Sequence, residues 1–392
     1  MEPLSIYIHI PFCRHRCGYC DFNTYAGVER RIPDYIAALC VEIQKMAGAG
    51  GDGQPVHTVF FGGGTPSLVP VEHLRKVWQV IHQHFCLLPG LEATLEANPG
   101  TVSPVYLAEL REMGFNRISF GMQTANPQEL RLLERQHSPE DVSEAVAWSR
   151  QAGFDNLSLE LIYGLPGQSL ASWQASVEAA LQLAPEHLSF YSLAIEEGTP
   201  LYHQRQQGVI PEPDGDLAAD MVEWARDRLA AAGFNHYEIS NWARCASDGS
   251  LLSSRHNLQY WRDLHYFGFG AGAHGYLGHT RTANLCGIGE YIQACQAKLA
   301  DFPIGPAVDQ AWRLSEREEM QEMMMVGLRL IEDGVAYQTF ADRFGKDLMD
   351  VFNKPVQKLI RQGLLEDTGT QLRLSQRGWL LGNRVFREFV GD

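Results

Sequence analysis

A short unit, in which a helix pattern ends at Gly-Phe and a strand pattern follows, occurs three times in this chain. The pairs are Gly114-Phe115, Gly153-Phe154 and Gly233-Phe234. Glycine suits the left-handed position that ends a helix, and an apolar residue after it can pack back against the last turn. Strand and helix patterns alternate about six times up to Leu188–Leu193, and this alternation requires parallel strands with crossover helices. We therefore predict an α/β fold built on a partial (β/α)6 TIM-like barrel.

The composition and the pattern of helices and strands change twice after this region, and these changes divide the chain into three predicted domains. The segment Gln204–Pro213 is polar, carries two prolines and marks the exit from the barrel. The tail has the pattern of a winged helix. Its three predicted helices are Glu316–Ile331, Tyr337–Phe344 and Leu348–Gln362, and a predicted hairpin over Leu364–Leu374 turns at Thr368-Gly369. We predict a barrel over 1–205, a barrel extension over 206–305 and a C-terminal winged-helix-like domain over 306–392.

Three of the eight cysteines lie within eight residues, directly after the first strand pattern. The CxxxCxxC spacing of Cys13, Cys17 and Cys20 lets three thiolates converge on one soft metal centre. Zinc normally takes a fourth ligand from a second motif, and the sequence has no second CxxC. Three cysteines suit a [4Fe–4S] cluster with one iron left open, which we prefer to three unrelated buried thiols. We expect the basic residues 14–16 to lower the pKa of the thiols.

The charge balance argues against wholesale binding of nucleic acid. The chain has 32 Lys and Arg against 47 Asp and Glu, a formal net charge of −15, whereas phosphate backbones favour basic surfaces. The tail is itself rich in glutamate, so we interpret it as a docking module or a stabilising domain. The N-terminal segment has no basic lead-in or cleavage site, and no apolar run approaches the ~18 residues of a membrane span. We therefore expect a cytoplasmic protein.

Five short motifs are spread over the barrel region. They are Tyr7–Cys20 around the cysteines, GGGTPS at Gly62–Ser67, EANP at Glu96–Pro99, GMQ at 121–123 and YGLPG at Tyr163–Gly167. Together they resemble the radical SAM (S-adenosylmethionine) superfamily and, within it, the oxygen-independent coproporphyrinogen oxidase family. They are most similar to the HemW heme-chaperone branch of that family, and the resemblance covers nearly the whole chain.

This resemblance implies a [4Fe–4S] cluster held by Cys13, Cys17 and Cys20, with SAM on the open iron. The residues that it places around SAM are Tyr7, Tyr19, Gly63, Gly64, Thr65, Glu96, Gln123, Arg135, Glu160 and Ala194. Arg135 can pair with the carboxylate of SAM. Glu160 stands where the family usually has Asp, which leaves a carboxylate but lengthens its arm.

Two features separate the branches of this family. The porphyrinogen-oxidising members carry a further cysteine two residues after the third cluster ligand, and Phe22 stands there in this chain. The segment Arg255–Trp261 reads RHNLQYW and matches the HNxxYW signature of the heme-chaperone branch. The resemblance implies that heme binds there, at His256, Asn257, Tyr260 and Trp261, with Arg255 and Arg262 near its propionates. From the residues alone, packed core aromatics and a hydrogen-bonded histidine are the expected alternative.

The glycine-rich segment Gly268–His274 resembles a further motif of the same branch, and His274 is a second candidate histidine for heme. The segment lacks the strand-then-helix context and the later acidic partner of a dinucleotide site. We therefore predict close backbone packing beside the cofactor sites instead.

The resemblance implies a heme chaperone that binds the cluster, SAM and heme and delivers heme to an acceptor hemoprotein. It also implies an electron donor for the cluster and peripheral contact with membrane hemoproteins. The alternative is an oxygen-independent coproporphyrinogen III dehydrogenase, which decarboxylates two propionates, and whether the chain turns over SAM as an enzyme stays open. A metal-sensing regulator that binds DNA through the winged helix is a third class.

Overall fold

One twelve-stranded sheet forms the centre of the fold in a computed structural model, which describes residues 3–390. Residues 1–2 and 391–392, at the ends of the first and last predicted domains, lie outside the described range. The strands are β1 Leu4–Ile10, β2 Pro55–Gly63, β3 Cys86–Ala97, β4 Arg117–Gln123, β5 Leu157–Tyr163, β6 His187–Ser192, β7 Asn235–Glu238, β8 Asn241–Ala243, β9 Tyr266–Phe269, β10 His274–Leu277, β11 Thr280–Asn284 and β12 Val308–Arg313. Their order across the sheet is β12-β11-β10-β9-β1-β2-β3-β4-β5-β6-β8-β7.

The six consecutive strands β1 to β6 run parallel, each paired with the next. Helices make the crossovers between them, over α1 Ile32–Met46, α2 Val71–His84, α3 Pro104–Met113, α4 Pro127–Leu132, α5 Pro139–Gln151 and α6 Leu170–Gln182. In the described part of the chain the two end strands, β12 and β7, do not pair with each other, so the sheet stays open. This confirms the predicted partial barrel.

The region after β6 contributes to both edges of the sheet. At one edge, α7 Pro200–Gln206 and α8 Gly215–Ala231 lead into β7 and β8, which pair antiparallel beside β6. At the other edge, α9 Arg255–Trp261 leads into β9, which pairs in parallel with β1, and α10 Ile288–Ala297 precedes β12. Within residues 3–390, every helix is too short or too polar to span a bilayer.

The helix ends follow the capping signals in the sequence. The Ser103 side chain accepts a hydrogen bond from the Tyr106 amide at the start of α3, and Gly114 ends that helix at φ 107°. Phe115, the next residue, is fully buried. The same ending recurs at Gly153, where φ is 88°. A helix that ends in this way turns the chain directly into the next parallel strand.

One face of the parallel strands is unusually polar. Its buried side chains include Thr58, Thr94, Arg117, Ser158 and His187. Residues alternate along a strand, so the intervening apolar residues point to the opposite face, where the crossover helices pack. The polar face continues to the carboxyl ends of the strands, where a parallel barrel keeps its functional groups.

The tail forms three helices and a small sheet, as predicted for a winged-helix-like unit. The helices are α11 Glu316–Gly327, α12 Tyr337–Phe344 and α13 Leu348–Arg361, the strands are β13 Val335–Ala336, β14 Leu365–Asp367 and β15 Gln371–Leu374, and α14 Gln376–Leu380 and α15 Gly382–Phe386 follow. Helix α11 ends before the predicted Ile331 because the chain there pairs with β7: Ile331 donates to the Tyr237 carbonyl oxygen, and Ile239 donates to that of Arg329.

A buried aspartate ties this tail to the sheet. Asp263, just after α9, accepts a hydrogen bond from Arg281 of β11 at 2.9 Å, and it forms an ion pair with Arg343 of α12, also at 2.9 Å. Arg281 also pairs with Glu322 of α11. One carboxylate thus holds three parts of the fold together.

Candidate functional site

A cavity of about 460 Å³ lies at the carboxyl ends of the parallel strands. Its wall includes all three cysteines of the predicted cluster. It also includes nine of the ten residues that the sequence places around SAM, namely Tyr19, Gly63, Gly64, Thr65, Glu96, Gln123, Arg135, Glu160 and Ala194. The structure therefore brings the two predicted groups of residues together in one place.

Tyr7, the tenth predicted SAM residue, is not among the residues that line this cavity. Its hydroxyl lies 3.0 Å from His9 Nδ1, and His9 Nε2 lies 3.0 Å from the Asn23 carbonyl oxygen, to which it donates. The Asn23 amide in turn donates to the carbonyl oxygens of Ala271 and Cys286. Tyr7 thus supports the end of the cysteine loop through His9.

The glycine-rich segment 268–274 packs against this same loop, which confirms the predicted close backbone approach. A Cβ on Gly272 would lie 2.5 Å from Asn23 Nδ2, and one on Gly270 would lie 2.5 Å from the His9 carbonyl oxygen. Both glycines also have positive φ, 77° and 104°. Larger residues at these two positions would therefore push the cysteine loop away from the sheet.

Each of the three thiols has one polar neighbour. Thr65 Oγ1 lies 3.5 Å from Cys13 Sγ, and Arg135 Nη1 lies 3.6 Å from Cys17 Sγ. Thr24 Oγ1 lies 3.8 Å from Cys20 Sγ. Among residues 3–390 no three His, Cys, Asp or Glu side chains are arranged to hold a single metal ion. The thiols instead share the wall of a cavity.

The expected lowering of the thiol pKa by residues 14–16 is wrong for Cys13. Burial raises the pKa of the Cys13 thiol, and the lowering contributions come from the Thr65 hydrogen bond and from Arg135. The arginines at 14 and 16 are exposed, and His15 pairs with Glu134 at 2.9 Å. The guanidinium that stands beside the thiols is that of Arg135, in the loop after α4. Arg135 is far from the cysteines in the sequence, so proximity along the chain does not indicate this contact.

The glycine turn after β2 is bonded directly to the cysteine loop. The amide of Gly64 donates to the Ile10 carbonyl oxygen and that of Thr65 to the Phe12 carbonyl oxygen, both at 2.8 Å. A Cβ on Gly64 would lie 2.7 Å from the Phe12 carbonyl oxygen and 3.1 Å from Cys13 Sγ. The turn therefore sets the position of Cys13, a role that the motif alone did not indicate.

Two carboxylates face the cavity from neighbouring parts of the wall. Glu96 Oε2 accepts from the Gly63 amide at 3.1 Å, and Glu160 Oε1 accepts from the Ser119 hydroxyl at 2.6 Å. Burial, together with the charge of Glu160, raises the pKa of Glu96 well above its ordinary value. Ser119, on the adjacent strand, therefore holds the carboxylate of Glu160, whose side chain is one methylene longer than that of the usual Asp.

Unpartnered buried polar atoms mark the part of the wall that is ready to receive a polar ligand. Gln123 Oε1 and Arg135 Nε are buried without a hydrogen-bond partner in the described residues, and buried polar atoms in folded proteins normally have one. Arg135 Nη2 is held by the Gly121 carbonyl oxygen at 2.9 Å. A Cβ on Gly121 would lie 2.7 Å from Gln123 Nε2. Three thiols in one cavity wall, beside such atoms, fit a [4Fe–4S] cluster and SAM.

The predicted heme histidine lies elsewhere, toward the amino ends of β2 and β3. His256 is 1% exposed, and its ring stacks on Phe60 at 4.9 Å between centroids. Its Nδ1 lies 2.8 Å from Thr58 Oγ1, and its Nε2 lies 2.8 Å from the Tyr260 hydroxyl. Because Thr58 donates its own proton to Ser5, Nδ1 must be the donor and Nε2 the acceptor. Burial lowers the pKa of His256 to about 3, so the ring is neutral.

The rest of the predicted heme segment is also engaged with the protein. Arg329 lies over the Trp261 ring at 4.2 Å, and Arg255 Nη1 donates to the Gly90 carbonyl oxygen at 2.6 Å. Arg262 lies 3.6 Å from Asp333. None of the predicted heme residues, which are His256, Asn257, Tyr260 and Trp261, is among those that line the cavity.

Among the lining residues that sequence reasoning missed are Tyr191 of β6 and Ser119 of β4. Tyr191 lies two and four residues after Ser189 and His187, which are both buried on the polar face. The period of two along β6 is the signal that could have placed Tyr191 at the site.

Two family models match this chain. That of the Radical SAM superfamily covers residues 7–180, and that of the HemN C-terminal domain covers residues 314–381. The solved structure of Escherichia coli coproporphyrinogen III oxidase (HemN), described as a radical SAM enzyme, has a TM-score of 0.82 and 22% identity, covering 99% of this chain and 90% of that one. At that identity the likeness shows the shared fold.

Full-length relatives are more similar in sequence. The heme chaperone HemW of Bacillus subtilis is 38% identical, with 99% of each chain covered. The heme chaperone HemW of Escherichia coli is 31% identical, covering 100% of this chain and 99% of that one. The mouse mitochondrial radical S-adenosyl methionine domain-containing protein 1 is 37% identical, covering 95% of this chain and 84% of that one. By its sequence over its whole length, and by its fold, the chain belongs to the HemW family within the radical SAM superfamily.

Proposed function

We propose that this chain is a heme chaperone, which binds a [4Fe–4S] cluster, SAM and heme and delivers heme to an acceptor hemoprotein. The observation that carries the proposal is the full-length similarity to proteins named heme chaperone HemW. The cavity supports it, because the three cysteines and nine of the predicted SAM residues share its wall. Phe22 also supports it, since this position holds a further cysteine in the porphyrinogen-oxidising branch.

Different residues of the cavity would bind the cluster and SAM. Cys13, Cys17 and Cys20 would ligate three irons of the cluster, which when bound supplies an open iron and a transferable electron. Arg135 stands beside Cys17, where its charge offsets that of the thiolates. The free polar atoms of Gln123 and Arg135 would bind the amino-acid end of SAM.

The two carboxylates and the aromatic residues shape the rest of the SAM pocket. Glu96 and Glu160 would accept hydrogen bonds from the ribose hydroxyls, and Tyr19 and Ala194 would border the nucleoside. The glycine turn at 63–65 holds the cysteine loop against the sheet through its amides. These residues therefore orient and shield SAM, whether or not it is cleaved.

The assignment of heme to the His256 segment follows from the resemblance and makes a prediction of its own. For iron to reach His256, the hydroxyl of Tyr260 must leave Nε2, because it occupies the lone pair that would bind the metal. A heme bound there therefore requires the Tyr260 side chain to move. His256→Ala should then abolish the absorption signature of histidine-ligated heme, and Tyr260→Phe should strengthen it.

The proposal is tested with anaerobically reconstituted full-length protein. We expect hemin to bind with a shifted Soret band and to transfer to apomyoglobin as a generic acceptor. We also expect incubation with coproporphyrinogen III and SAM under a reductant to yield no protoporphyrinogen. Absence of hemin binding, or formation of protoporphyrinogen, would contradict the chaperone function.

The remaining expectations are also proposals. An electron donor would reduce the cluster, and the acceptor would include hemoproteins at the membrane surface. A reducing compartment keeps cysteines as thiols that can ligate a cluster, which supports a cytoplasmic location. The division into 1–205, 206–305 and 306–392 is retained, with the HemN C-terminal domain match inside the last part.

A further inference from the structure

The rim of the cluster cavity carries an exposed aromatic side chain. Phe22 lines the cavity and is 62% exposed, whereas most large apolar side chains of the chain are buried. A single exposed apolar residue on a surface needs no explanation. Phe22 differs because it borders a cavity whose floor is assigned to the cluster and SAM, so a flat apolar ligand could cover it from outside.

Two unpaired arginines border the same rim. Arg14 and Arg16 line the cavity and are exposed. Within residues 3–390 neither makes an ion pair or a hydrogen bond, while His15 between them pairs with Glu134. In a chain with a net charge of −15, two free guanidinium groups at one opening form a local site for carboxylates.

The acidic residues of the rim restrict which orientation an anionic ligand can take. Asp21 and Glu196 also line the cavity. A carboxylate ligand is therefore attracted to Arg14 and Arg16 and repelled by Asp21 and Glu196. These charges suit a ligand that has an apolar ring for Phe22 and carboxylates for the two arginines.

The heme ring and its two propionates have this chemistry. We propose that the heme cargo docks on the rim, with its ring on Phe22 and its propionates paired with Arg14 and Arg16. The inference rests on the proposed chaperone function and names where its cargo binds. It replaces the His256 segment as the place of heme binding and leaves His256 as it stands, buried and with both ring nitrogens hydrogen-bonded.

Docking on the rim would place the cargo over the cluster and SAM. Aromatic stacking adds to what area burial alone contributes, and a paired guanidinium–carboxylate contact is among the strong hydrogen bonds. Phe22 would therefore supply contact area, while the two arginines would select for free propionates. Arg14 and Arg16, which stand between the cysteines, would then serve the cargo rather than the cluster.

The test measures hemin affinity in the reconstituted full chain, with hemin dimethyl ester as a probe that lacks propionate charge. The double variant Arg14→Gln/Arg16→Gln should bind hemin at least about tenfold more weakly and lose the preference for hemin over its ester. Phe22→Ala should weaken both probes by about two- to tenfold. Asp21→Asn is the matched control, and it should bind hemin as well as or better than wild type.

Iron and sulfide content must be unchanged in every variant used, which shows that the loop still holds its cluster. Wild-type affinity for hemin in both the arginine and the phenylalanine variants would overturn the rim site. Loss of binding in His256→Gln, with the rim variants unaffected, would overturn it in favour of α9. If wild type itself binds no hemin, the chaperone function fails, and the rim site fails with it.

Discussion

Gly64 shows how closely the site depends on single atoms. Its amide is bonded to the strand that precedes the cysteines, and the space where a side chain would start is taken by a carbonyl oxygen and by Cys13 Sγ. Because a Cβ at 2.7 Å from backbone cannot be accommodated without movement, any substitution must displace the loop that carries Cys13.

Gly64→Ala should therefore lower cluster incorporation to below about half of the wild-type level while the rest of the fold persists. Iron and acid-labile sulfide per chain, measured after anaerobic reconstitution, check this, with circular dichroism as a measure of folding. Gly100→Ala is the matched control, because Gly100 also lines the cavity but a Cβ there meets nothing closer than 3.8 Å. A full cluster in Gly64→Ala would show that the loop adapts.

At the residue scale, the sequence predicted well which residues meet at the site when each of them lies in a motif at the end of a strand. The SAM residues other than Tyr7 line one cavity, because they follow strands that are neighbours in a parallel sheet. It was weaker where a partner from elsewhere in the chain decides the outcome. The hydrogen bond of His256 to Thr58 joins residues 198 positions apart, and no local pattern indicates it.

At the scale of elements, a buried glutamate joins α1 to the far edge of the sheet. Glu42 accepts from the Tyr291 hydroxyl of α10 at 2.6 Å, the Asn284 amide of β11 at 2.7 Å and the Gly270 amide at 2.8 Å. Burial outweighs these donors and raises the pKa of Glu42 from its ordinary 4.5 to about 7. The folded chain therefore binds this proton more tightly than the unfolded chain does.

This linkage fixes the sign of a pH effect. The stability that Glu42 contributes is fully present below about pH 4.5 and is lost as the pH rises through about 7, in total about 3 kcal/mol. The free energy of unfolding of wild type, relative to Glu42→Gln, should thus fall by about 2–3 kcal/mol from pH 5 to pH 8. Glu72→Gln, at an exposed position of α2, should follow wild type. Parallel curves for Glu42→Gln and wild type would contradict the prediction.

Helices with clear caps were predicted well, and elements that end at a tertiary contact were not. Helix α12 has the predicted bounds Tyr337–Phe344, and α3 begins at its Ser103 cap. Helix α11 was predicted to continue to Ile331, yet backbone hydrogen bonds to β7 end it earlier. Since β7 lies about 90 residues before α11, the helix pattern cannot contain that information.

For the molecule as a whole, the ion pairs of Asp263 are a buried polar link between the sheet and the tail. Its side chain is fully buried and faces two arginines. Removal of one partner from a buried ion pair leaves the other charges uncompensated, which typically costs about 3–5 kcal/mol.

Asp263→Ala should therefore lower the free energy of unfolding by about 3–5 kcal/mol and loosen the tail first. Urea denaturation gives the energy, and hydrogen exchange of α11 and α12 locates the change. Asp333→Ala is the control, because its pair with Arg262 is exposed and should contribute at most about 1 kcal/mol. Equal losses in the two variants would show that Asp263 is not the link.

The overall architecture was predictable as far as local patterns reach. The alternation of strands and helices indicates the parallel strands β1 to β6, and the helix and hairpin pattern indicates the tail. The two edges of the sheet were not predictable in the same way. Strand β9 joins β1 in parallel although the two are about 250 residues apart, and only the finished fold brings them together.

This pairing has a consequence for biosynthesis. Strand β1 leaves the ribosome first, but its partner β9 is translated about 250 residues later, with Tyr266 opposite Ser5. At about 5–20 residues per second, one edge of an apolar strand waits unpaired for roughly 10–50 seconds, and unpaired edges invite association between chains. The cysteine loop follows β1 directly, and its Asn23 anchor also awaits residues 271 and 286. Cells should therefore assemble the iron–sulfur cluster only after most of the polypeptide has been made.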